Sequence, residues 1–85
     1  MAKYRKKPVV IEAIQWTGNN EWEIQDFIKN GNWSWVQGYG RVDLYIHTLE
    51  GKMLANISDF IIKGVKGEFY PCALDIFEMT YDEVN

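Results

Sequence analysis

Two short apolar runs, Phe60-Ile61-Ile62 and Phe69-Tyr70, flank a Gly64-Val65-Lys66-Gly67 turn. Runs this short, closed off by glycines, read as a β-hairpin rather than as helix. The constraint extends to the rest of the chain. Strand-length apolar segments recur between turn residues, and only one segment carries a helical period.

Pro8 to Trp16 reads as a first strand with apolar residues on both faces, which predicts a central position in its sheet. Asn20 to Asn30 reads as the helix. Asn20 and Glu23 match a capping box, Ile24, Phe27 and Ile28 form one stripe, and Gly31 offers a left-handed stop. Trp33 to Val36 reads as a short strand and Arg41 to Thr48 as a clearly alternating one. Leu49 to Lys52 is a turn, and Met53, Ala55 and Ile57 share a face of the returning strand. Pro71 to Leu74 interrupts the pattern, and Ile76 to Tyr81 reads as a last strand through Phe77, Met79 and Tyr81. The expected fold is α+β: a small, strongly curved antiparallel sheet or half-barrel of roughly five to seven strands with one helix packed on it.

The 85 residues suit one small domain over 1–85, with a basic arm at 1–7. Lys3, Arg5, Lys6 and Lys7 lie in that arm, while Asp75, Glu78, Asp82 and Glu83 make the other end acidic. A net charge of −3 argues against duplex DNA as partner, because backbone contacts need many cations. The single cysteine, Cys72, excludes an intramolecular disulfide. With His47 as the one histidine, a Cys/His zinc site is excluded too. No apolar h-region follows the basic start, and no stretch approaches the roughly 20 apolar residues of a membrane span. The expected location is the cytosol.

Three blocks resemble a family of small bacteriophage and prophage proteins. They are Tyr4 to Ala13 with Gln15-Trp16, Ile46 to Gly51, and Asp59 to Cys72 closing with Asp75 to Tyr81. The resemblance spans nearly the whole chain. Ser58 stands where similar proteins usually carry glycine, and Ala73-Leu74 where they often have Lys-Pro. The resemblance implies a phage origin and hence the host-cell cytosol. It brings no established activity and no functional residues.

The Lys63 to Gly67 turn gathers amides and two ammonium groups, which suits a phosphate; it equally suits a plain hairpin turn. Trp16, Trp22, Trp33, Trp35 and Tyr39 cluster in sequence. Rings of this kind stack nucleobases, or else form core and interface. Asp59 and Tyr70 offer polar recognition, although an Asp after a turn commonly bonds nearby amides. A Cys72 nucleophile needs a base, and His47 is the one histidine. The expectation is a non-catalytic binding protein without cofactor. Its ligand is a small anionic, nucleotide-type host signal held by Lys63, Lys66, Trp33, Trp35, Asp59 and Tyr70. The alternative is a protein–protein module that binds a host or virion protein, or forms a homo-oligomer, through a strand edge.

Overall fold

A computed structural model describes residues 1–29 and 31–84. The fold is α+β, in the order β1 (Glu12–Gln15), α1 (Glu21–Ile28), β2 (Trp33–Gln37), β3 (Val42–Thr48), β4 (Gly51–Ala55), β5 (Phe60–Lys63), β6 (Phe69–Cys72) and α2 (Leu74–Thr80). The strands form two three-stranded antiparallel sheets, β1-β5-β6 and β2-β3-β4, and neither closes into a barrel.

The expected hairpin is β5-turn-β6, with Lys63 opposite Phe69 and Phe60 opposite Cys72. Pro71 does not interrupt it. β6 is an edge strand, where a residue without an N–H is tolerated. Two main-chain bonds close the turn: Gly64 N–H donates to Glu68 O at 2.7 Å and Gly67 N–H to Gly64 O at 3.0 Å.

Strand alternation divides the first sheet between two environments. Ile14, Ile61 and Phe69 face the main core, where Trp16, Ile24, Ile28, Leu44, Ile46 and Ala55 are buried. Phe27 of α1 meets Phe69 edge-on at 5.6 Å and 77°. Ala13, Phe60 and Ile62 face the other way. There Phe77 of α2 stacks on Phe60 at 3.9 Å, nearly parallel. Ile62 is buried but stands outside the main cluster for this reason.

Several expectations are corrected. The first strand is β1 alone; residues 1–11 form no strand or helix, and 1–10 are exposed. Its place is the sheet edge, not the centre. The capping box does not form. Asn20 Oδ1 instead accepts from Thr17 N–H at 2.9 Å, and Asn20 Nδ2 donates to Gln15 O at 2.8 Å, so the carboxamide closes the turn after β1. The left-handed stop falls first on Lys29, at φ 55, while Gly31 also has positive φ. Asn30, the expected helix end, lies outside the described residues. β4 ends at Ala55, which leaves Ile57 exposed in the following turn. The expected last strand, Ile76 to Tyr81, is the helix α2 and its exit. Leu74, Phe77 and Tyr81, spaced three and four apart, turn inward, whereas Met79 is exposed.

The turn before β5 stores strain. Asp59 N–H donates to Asn56 O at 2.9 Å, and Ser58, third in that turn, has φ 85. A type II turn asks for glycine there. Left-handed backbone costs a non-glycine residue roughly 1–2 kcal/mol, partly offset by the roughly 0.5–1 kcal/mol of chain entropy that glycine gives up on folding. Ser58→Gly is therefore expected to raise stability by roughly 0.5–1 kcal/mol. Urea melts of both proteins read this directly, and a destabilised variant contradicts the assigned strain.

Candidate functional site

The structure does not gather the six residues expected to hold a ligand. Lys63 and Lys66 are exposed at the end of the first sheet. Trp33 and Trp35 lie on β2 in the other sheet. Both are half-buried against the core, 5.7 Å apart, with Trp35 also 5.4 Å from the buried Trp16. Trp35 Nε1 is buried with no hydrogen-bond partner among the described residues. The two described pockets bring neither lysine together with either tryptophan. Trp22 and Tyr39, by contrast, stand out in solvent.

The lysine turn already holds an anion of its own. Lys66 N–H donates to the Glu68 carboxylate at 3.3 Å, and that carboxylate packs directly on Gly64, where a Cβ would overlap it. With the Gly64 and Gly67 amides bonded to backbone carbonyls, three of the turn's amides are occupied. Asp59 is occupied likewise: its Oδ2 accepts from Asn56 N–H at 2.9 Å and its carbonyl from Trp16 N–H at 2.8 Å.

Cys72 and His47 have separate partners. His47 Nε2 lies 3.1 Å from Ser34 Oγ within the second sheet, and Cys72 Sγ–H points to Ala73 O at 3.7 Å. Burial pushes the Cys72 thiol up, and the carboxylates of Asp59 and Asp75 push it further. A nucleophilic cysteine needs a shift in the opposite direction. No group of three or more metal-ligating side chains occurs among the described residues, and no described helix is long and apolar enough to cross a membrane.

The larger of the two described concavities is elsewhere. A groove of about 710 Å³ wraps around the outer edge of β1. Ile14 and Phe27 wall it on the core side. Ala13, Phe60, Phe77 and Tyr81 wall it on the α2 side, and Val9, Val10 and Ile11 extend it along the arm. Its charged lining residues are Glu12, Asp82 and Glu83, all exposed. Because Trp16 exchanges both its main-chain bonds with Ser58 and Asp59, the strand period turns the N–H and C=O of Ala13 and Gln15 outward. Asn20 takes the Gln15 carbonyl. From Ala13 back through residue 11, no described main-chain bond reaches this outer edge. Sequence shows neither the α2 wall nor the open edge, since the last segment alternates like a strand and the first carries apolar residues on both faces like a central one.

Tyr81 also touches the remaining expected residue. Tyr70 is half-buried, and its phenol is pushed up to about 12, first by burial and then by the neighbouring Tyr81 phenol. The folded value lies above the ordinary 10.0, so the neutral phenol contributes stability that is complete below that pH and lost as pH rises toward about 12. Tyr70→Phe should flatten the alkaline fall of the melting temperature across this window. An unchanged fall would mean that another group is responsible. No family model matches the chain, and no curated protein or solved structure matches it.

Proposed function

We propose that this chain is a non-catalytic interaction module that receives an extended segment of a protein partner along the outer edge of β1. The observation that carries this reading is the groove itself. It lies around an unpaired strand edge and has apolar walls on both faces. An added strand finds there free main-chain groups for affinity and alternate apolar sites for specificity. The acidic residues Glu12, Asp82 and Glu83 select a segment with apolar residues flanked by lysine or arginine. With the phage origin that the resemblance implies, the partner is a host protein, a virion protein or a second copy of this chain, met in the host cytosol.

A direct test uses a synthetic Val/Ile hexapeptide flanked by lysines. It is expected to bind, to slow exchange of the Ala13 and Gln15 amides, and to bind about tenfold more weakly to Asp82→Lys with Glu83→Lys. The same peptide flanked by glutamates is expected not to bind. Equal binding of both peptides, or binding without protection of β1, overturns the reading.

The second reading keeps a nucleotide-type anion at the Lys63–Gly67 turn. In its favour, both ammonium groups are exposed and neither is ion-paired with a described residue. Here Glu68 competes with the ligand for the Lys66 amide. Glu68→Gln should therefore tighten nucleotide binding, and Lys63→Ala with Lys66→Ala should weaken it. Calorimetry against a panel of nucleotides decides, and affinities indifferent to all three substitutions discard this site.

A further inference from the structure

Resting on the strand-addition reading, we infer that the segment received by the β1 edge is the basic arm of a second copy of this chain, exchanged reciprocally about a two-fold axis. The groove's charged lining is wholly acidic among the described residues. The chain's densest run of positive charge is Lys3, Arg5, Lys6 and Lys7, all exposed. It is followed by Pro8 and by the apolar Val9, Val10 and Ile11, which is the chemistry that the groove asks for. Each copy carries −3 overall, so two copies repel at long range, yet the surfaces brought together here are of opposite sign.

The match is already visible within one copy. Lys6 Nζ lies 5.3 Å from the centre of the Tyr81 ring, and Tyr81 is a wall of the groove. Exchange transfers that contact to the partner at little cost. The arm cannot add itself as a strand to its own β1. Arm and strand are one continuous run, and folding back would need a tight turn within Val9-Val10-Ile11, a β-branched stretch ill suited to turns. No main-chain bond from residues 1–11 is found among the described residues. A second copy escapes this limit. Antiparallel pairing of the two edges about Val10 sets Val9 to Ile11 of each copy beside the same stretch of the other and Lys7 beside Ala13, which lines the groove with Tyr81 and Asp82, an isologous contact.

Sedimentation velocity over a concentration series tests this with the full chain and two surface variants. One variant is Lys6→Glu with Lys7→Glu, and the other is Asp82→Lys with Glu83→Lys. The wild type is expected to dimerise. Each variant alone is expected to dissociate at least about tenfold more readily, since its arm and groove then carry like charge. Mixed in equal amounts, the two variants should form a heterodimer of near wild-type affinity, because each arm then meets a groove of opposite charge. A wild type that stays monomeric overturns the inference, and so does a dimer that both variants leave unchanged. If that monomer still binds the lysine-flanked peptide, strand addition stands and only the second copy is ruled out. If it binds no peptide, both fall.

Discussion

Trp16 joins the two sheets, and the rest of the structure depends on that joint. Its N–H and C=O extend the β1–β5 ladder onto Asp59 and Ser58, while its ring, 1% exposed, reaches Trp35 of the other sheet. Burying a side chain of this size removes roughly 150–250 Å² from water, a gross gain of roughly 4–6 kcal/mol. That is comparable to the whole net stability of a small domain, typically about 5–15 kcal/mol. With the backbone of residue 16 committed to β5, alternation sends the polar groups of Ala13 and Gln15 outward. One anchoring tryptophan thereby determines both where the core closes and which strand edge stays open.

The strong periods of the chain were legible. Ile24 and Ile28 reveal α1, the alternation of Leu44 and Ile46 reveals β3, and the glycines around Val65 reveal the β5–β6 hairpin. The failures came where two periods fit the same residues. Phe77 and Tyr81 are four apart, which satisfies both a strand and a helix, and the exposed Met79 between them suggested the strand. Ala73-Leu74 supplies no side-chain cap to announce the helix. The decisive partner, Phe60, lies far away in sequence and cannot be read locally. Similarly, Val9, Val10 and Ile11 look like a buried strand because apolar residues on both faces usually mean burial. Here they line an open groove.

The six expected site residues share a chemistry, which sequence states, and not a location, which it does not. Lys63 and Lys66 stand at the β5–β6 turn, whereas Trp33 and Trp35 stand on β2 of the other sheet. Tyr70 is the one that borders the groove region, through its phenol's contact with Tyr81.

Glu68 gives the lysine turn a further property. A carboxylate held two residues from the amide it occupies behaves as a tethered competitor, present at an effective concentration of order millimolar or more however dilute the protein. Free phosphate, acidic side chains of other proteins and nucleic acid strands all meet the turn with that internal rival in place. The turn can thus keep two exposed ammonium groups for solubility, while any anion that seeks the Lys66 amide must first displace that carboxylate.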